Sequence, residues 1–164
     1  MSSPLHQAVL GAFEAQGWSF HQVPGQTVVE AAFEAHHGKV PLHVQSHEEA
    51  GLVSVVAQCS VRIEPAWRAP AAQLLMRANE SLNLGALELV WDQGSALFRV
   101  GSLFPREQPQ PRLIAALVHA AVAEVDRLTP LLGEMCRHPA IEWGPAEIRA
   151  LLAREDLLPP APEP

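Results

Sequence analysis

Long apolar runs, lysine, paired cysteines and catalytic signatures are all scarce in this 164-residue chain, and each scarcity closes a class of function. Apolar stretches such as Leu52–Ala57 fall far short of the roughly 20 residues that cross a bilayer. The first residues, Met1–Ala12, show no basic segment ahead of a continuous apolar block and no small-residue cleavage site, so no secretory signal is read there. The chain is therefore expected to be soluble and cytoplasmic. Lys39 is the sole lysine and the formal net charge is −7. Without a basic stripe to neutralise phosphates, neither nucleic acid nor an anionic membrane surface is expected as a partner. Only Cys59 and Cys136 are present, with no CxxC spacing, which points to reduced structural thiols rather than zinc or redox chemistry. Neither a glycine-rich phosphate loop nor HExxH occurs.

What is present is an alternation of helical and strand periodicities. Ser3 as N-cap and Pro4 at the first helical position precede Leu5, Val9, Ala12 and Phe13 at helical spacing, ending at Gly17. Trp18–Val23 reads as a first strand. Val28–His36 and Lys39–Gln45 read as a hairpin turning at His37-Gly38, which sets Phe33 opposite Leu42, Ala31 opposite Val44 and Ala35 opposite Val40 on one apolar face. Glu30, Glu34, His36, Lys39, His43 and Gln45 fall on the other face. Gly51–Ile63 is a fourth strand with Val53, Val55, Ala57, Cys59 and Val61 alternating. A second helix is carried by Ala71, Leu74, Leu75, Ala78 and Leu82, ending within 79–83, and 85–92 with 96–103 form another hairpin. In Pro111–Leu128 the stripe Ile114, Leu117, Val118, Ala121, Val125 and Leu128 defines a surface helix that Thr129-Pro130 is expected to kink or end. A short helix over Pro145–Glu155 and an extended proline-rich tail close the chain.

Four of the eight histidines, His36, His37, His43 and His47, cluster around the first hairpin. With Glu30 and Glu34 they offer imidazole and carboxylate ligands, so a small metal-dependent enzyme is one reading. A solvated polar strand face is preferred, because the spacings make no closed ligand set; no cofactor or structural metal is expected. Cys59 alternates with core positions, and Cys136-Arg137-His138 is adjacency without a catalytic spacing. Trp91 shares the face of Leu87 and Leu89 and is expected in the core or a buried interface, whereas Trp67 and Trp143 sit in proline-flanked segments that could expose them.

The run Leu74-Leu75-Met76-Arg77-Ala78-Asn79-Glu80, followed by Leu82, Leu84-Gly85, Leu87-Glu88-Leu89, Gly94 and Phe98-Arg99, resembles the YbjN family. That family is described as bacterial sensory transduction regulators, with a fold similar to type III secretion chaperones. The order of elements extends the resemblance over 18–132. The resemblance implies an α+β fold, an antiparallel sheet with flanking helices in the order α-β-β-β-β-α-β-β-α, followed by the short C-terminal helix. Residues 1–132 are read as one YbjN-like domain and 133–164 as an extension. Within the motif, Asn79 is assigned to the left-handed end of the second helix and Gly85 to the turn into the next strand. The implied function is non-enzymatic protein binding, chaperone-like or regulatory, with a nucleic-acid-binding regulator the weakest reading. Because secretion chaperones pair through a helix and sheet surface, a homodimer is implied, with Ala71, Leu74, Leu75, Ala78 and Trp67 as the candidate dimer or partner surface.

Overall fold

A computed structural model describes residues 3–105 and 109–160 of the chain. The first helix, α1 (Pro4–Gln16), starts as its sequence demands: Ser3 Oγ accepts the His6 N–H, and Pro4 takes the first-turn position where no N–H is needed. Six strands follow, β1 (His21–Gln22), β2 (Val28–Ala35), β3 (Gly38–His47), β4 (Leu52–Arg62), β5 (Ala86–Val90) and β6 (Ser95–Leu103). They form one antiparallel sheet in the order β1-β2-β3-β4-β6-β5. Helix α2 (Arg68–Asn79) stands between β4 and β5, and α3 (Pro111–Arg137) and α4 (Pro145–Leu152) complete the chain. The α+β architecture and its element order are those anticipated.

All the helices serve one face of the sheet. Val29, Val40, Leu42, Val44, Val53, Val55, Ala57, Phe98 and Val100 are buried on it against α1 and α3. On α3 the anticipated stripe is buried and continues through Leu131, Leu132 and Met135. Burial of each Val, Leu, Ile, Phe or Met side chain in this layer contributes about 1.5–3 kcal/mol. The segment expected as a full first strand pairs only at His21–Gln22, because Trp18 and Phe20 turn inward instead. Trp18 packs edge-on against Phe13 (5.3 Å between centroids) and Phe33 (5.2 Å), and Phe20 against Phe13 (5.5 Å).

The first hairpin differs from its expected register. Ala31 faces Leu42, Phe33 faces Val40 and Val29 faces Val44. The turn residues are His36 and His37, and Gly38 is already strand, opposite Ala35, at a φ of 141° that side chains seldom adopt. The pairing therefore slides by two residues. An even slip leaves every side chain on its face, so Glu30, Glu34 and His43 still lie opposite to Phe33, Leu42 and Val44.

Helix α3 also departs from expectation, running 27 residues straight through Pro130 and Gly133. Proline has no N–H for the carbonyl four residues back, here Asp126 O. That carbonyl is satisfied from the hairpin: His37 Nδ1 lies 3.1 Å from Asp126 O, and because a carbonyl only accepts, Nδ1 carries the proton. The His37 backbone N–H donates to Asp126 Oδ1 at 2.6 Å. Thr129 Oγ1 donates to Val125 O (2.8 Å), which leaves the Cys59 thiol to donate to Thr129 Oγ1 (3.5 Å). The helix survives its proline because the sheet supplies the missing donor.

This arrangement predicts a coupling. His37→Ala should destabilise the chain by about 1 kcal/mol, but by less than half of that when Pro130 is replaced by Ala, whose own N–H can take Asp126 O. Urea unfolding of both single variants and the double variant measures it; equal His37→Ala effects in both backgrounds would show that the ring does not compensate for the proline.

Candidate functional site

The motif that carries the family resemblance lies at the junction of α2 with the β5–β6 hairpin, and its geometry is specific. Asn79, the last residue of α2, does not adopt the left-handed conformation expected of it; among the described residues, positive φ occurs only at glycine. Its side chain acts as a short piece of strand instead. Asn79 Oδ1 accepts the Leu87 N–H (2.8 Å) and Asn79 Nδ2 donates to Leu87 O (3.0 Å), pairing both main-chain groups of Leu87 on the edge strand β5. Gly85 makes the approach possible: at a φ of 74°, a Cβ there would meet the Phe98 ring at 2.4 Å and Arg99 O at 2.8 Å.

The candidate surface on α2 is turned inward. Ala71, Leu74, Leu75 and Ala78 are buried in the chain's own core, because an amphipathic helix beside a sheet covers that sheet first. Trp67 is half-buried at the start of α2, its Nε1 donating to His138 O at 2.9 Å. What remains outside was not singled out by periodicity: Met76 (67% exposed) on α2, Leu84 (53%) and Trp91 (52%) flanking β5, and Leu103 (73%) ending β6. Trp91, expected in the core or a buried interface, is not in the core: it lies one residue past β5 in the turn, where the strand's alternation no longer applies. Exposure alone does not follow from sequence spacing, but large apolar residues at the ends of an edge hairpin were the available signal.

The second feature is the open face of the sheet. Glu30, His43, Val56 and Arg99 occupy one row across β2, β3, β4 and β6. Glu30, His43 and Val56 border a shallow depression of about 510 Å³ that also involves Pro41 and Leu97. Glu30 and His43 are cross-strand partners, as the face assignment implied, and Arg99 reaches Glu88 with two hydrogen bonds of 2.9 and 3.3 Å. Burial, then the Arg99 charge, lower the pKa of His43 against the pull of Glu30. His36 is an exposed turn residue rather than a strand neighbour of His43, His37 is engaged by Asp126, and His47 ends β3. The four hairpin histidines do not converge. Among the described residues, no three or more His, Cys, Asp and Glu side chains form a possible metal cluster.

Other reactive groups are enclosed. Burial raises the thiol pKa of both Cys59 and Cys136, the opposite of what activates a nucleophile. His6, on the buried side of α1, is hydrogen-bonded to Ser46 (Nδ1 to Oγ, 3.2 Å), and its pKa is lowered by burial despite Glu48 nearby. No helix among the described residues is long and apolar enough to cross a membrane.

Residues 6–134 match a known family, YbjN, described as "Putative bacterial sensory transduction regulator". The chain belongs to the YbjN family. The match spans α1 through most of α3 and includes the Asn79–Leu87 junction. Among solved structures, the ExsC–ExsE complex has a chain similar to this one with a TM-score of 0.57 at 13% identity, covering 80% of this chain and 96% of that one. The HopA1–SchA chaperone–effector complex gives a TM-score of 0.50 at 14% identity, covering 72% and 86% respectively. At such identities the likeness is one of fold, and the fold of this YbjN member is chaperone-like. No curated protein matches the chain.

Two outcomes follow from these contacts. Asn79→Ala strips both partners from Leu87 and should lower stability by about 1–3 kcal/mol; a change within error in denaturant unfolding would mean water replaces the amide without loss. For pH, His6 and His43 titrate lower in the folded chain than their ordinary value of about 6.5. The unfolded chain then binds more protons, so these groups add stability above about pH 6.5 that is lost as pH falls towards their depressed folded values. Melting temperature measured from about pH 8 to pH 5 should fall on the acid side, and His6→Gln with His43→Gln should flatten that fall.

Proposed function

We propose that this YbjN protein is a non-enzymatic protein-binding module, chaperone-like or regulatory, that works as a soluble cytoplasmic homodimer. The observation that carries the reading is the exposure of Met76, Leu84 and Trp91 on α2 and at the ends of β5, alongside other exposed apolar side chains such as Leu103 and Ile141. Tryptophan is enriched among interface anchors. The fold supports the same reading, since both structural neighbours occur in complexes with another protein. So does the state of the reactive groups: raised thiol pKa values and dispersed histidines offer no activated nucleophile or closed ligand set.

The dimer surface assigned here is the α2–β5 edge, with Met76, Leu84 and Trp91 in place of the inward-facing Ala71, Leu74, Leu75 and Ala78. Each protomer then pairs its edge hairpin region with that of its copy, and Asn79 keeps the Leu87 main chain occupied so that the contact is made by side chains.

Light scattering and sedimentation over a wide dilution series should give twice the monomer mass. Met76→Glu with Trp91→Arg should weaken the dimer by about 2 kcal/mol or more, roughly thirtyfold in dissociation constant, without lowering the melting temperature. A monomer at the highest concentration would end the dimer assignment. Affinity capture from the native cell should return a stoichiometric protein partner; purification without one, repeated across growth conditions, would count against protein binding itself.

A further inference from the structure

The family match ends at residue 134, and the chain beyond α3 forms a 3-10 turn (Ala140–Glu142), α4 and a second 3-10 turn (Glu155–Leu157). This segment lies over the groove between α2 and the C-terminal half of α3. Between residues 138 and 160 only Ile148 and Leu151 are fully buried, with Trp143, Leu152 and Leu157 half-buried against the core. Two indoles fasten its near end: Trp67 Nε1 donates to His138 O and Trp143 Nε1 to Met135 O, both at 2.9 Å. Arg154 lies 3.6 Å from Glu134 at its far end.

Helix α4 has eight residues, and Gly144 at its N-cap provides no side-chain acceptor. A helix so short is marginal without tertiary support. Yet the packing around it is open on both flanks. A cavity of about 330 Å³ lies beside Glu134, His138, Trp143 and Leu151, and one of about 240 Å³ lies beside Ala78, Leu128, Leu131 and Leu152. Both are open to solvent, the larger lined almost wholly by the segment itself and the smaller chiefly by α2 and α3.

We propose that residues 138–158 are a strap seated in cis over a helix-accepting groove, and that an amphipathic helix of a protein partner displaces it. This rests on the protein-binding reading above. The strap itself reports what the groove accepts: Ile148, Leu151 and Leu152 stand at i, i+3 and i+4, the spacing of a helix anchored along one face. Charge sets the direction. Glu134 on α3 stays with the groove when the strap leaves, and Arg154, six residues after Ile148, is the cation the strap presents to it. The partner helix carries an Arg or Lys at that position, and the opening beside Ala78, Leu128 and Leu131 accommodates an apolar side chain bulkier than Leu152. Being tethered, the strap competes at high effective concentration, and partner affinity is set by how often it lifts.

Hydrogen exchange on the full chain is the first test. Amides of α4 should exchange at least about tenfold faster than those of α3 and β4, through a local opening; exchange of α4 at the rate of β4 would overturn the strap. The second test uses the full-length variant Ile148→Asp with Leu151→Asp, and a fluorescent peptide of residues 139–158 as probe. The variant should bind the peptide at least about tenfold more tightly than the wild type does, and Arg154→Glu in the peptide should weaken it. A folded variant that ignores the peptide, or a variant that loses β4 protection, would overturn the proposal. A partner captured by the wild type that does not compete with the peptide would also sink the strap, while leaving the protein-binding reading in place.

Discussion

Helix α3 is one continuous element across Pro130, and the β2–β3 turn meets it there. Pro130 leaves Asp126 O without its helical donor, and His37 supplies one from the sheet, with its own N–H fixed in return by the Asp126 carboxylate. The consequence spreads through the molecule. A helix broken at 129–130 would carry Leu131, Leu132 and Met135 away from the core, and with them the Met135 carbonyl that receives Trp143. The stripe that covers β3, β4 and β6 and the platform for the C-terminal segment are two halves of the same helix.

Because every helix packs on one side, the sheet must manage its other face and its edges by other means. The open face is polar or sparsely apolar, with Glu30, His43 and Arg99 solvated around Val56. Ion pairs there, such as Arg99 with Glu88, are exposed and add little stability. The β5 edge is treated differently. Asn79 covers the Leu87 main chain, which removes part of the template on which another strand could add. The edge is thus blunted towards main-chain pairing while Met76, Leu84 and Trp91 stay accessible, and that combination favours recognition by side chains.

Binding by such a surface calls for order near the sheet and mobility farther out. The aromatic cluster of Phe13, Trp18, Phe20 and Phe33 secures α1 to β2 at one end of the sheet. At the other end, the segment after α3 is held by buried Ile148 and Leu151, by Trp143, Leu152 and Leu157 against the core, and by two indole bonds.

Periodicity and capping in the sequence determined the order of elements, the composition of each apolar face and the core position of Cys59. Those features are set by neighbours within one helix turn or one strand, and they hold even where the hairpin pairing slid by two residues. The YbjN motif was legible for the same reason, as a contiguous run from Leu74 to Arg99. Only tertiary structure decided that Pro130 would lie inside a helix, since the donor that rescues it comes from residue 37. Likewise, Asn79 closes a strand edge instead of ending a helix in the left-handed region, because Gly85 brings Leu87 back to it. The candidate surface changed for a related reason: helical spacing shows which residues are apolar, but whether Leu74 and Leu75 meet the chain's own sheet or another molecule depends on where the sheet lies. Contacts between distant residues carry free energy comparable to local preferences, and nothing in a local pattern records which distant residue will arrive.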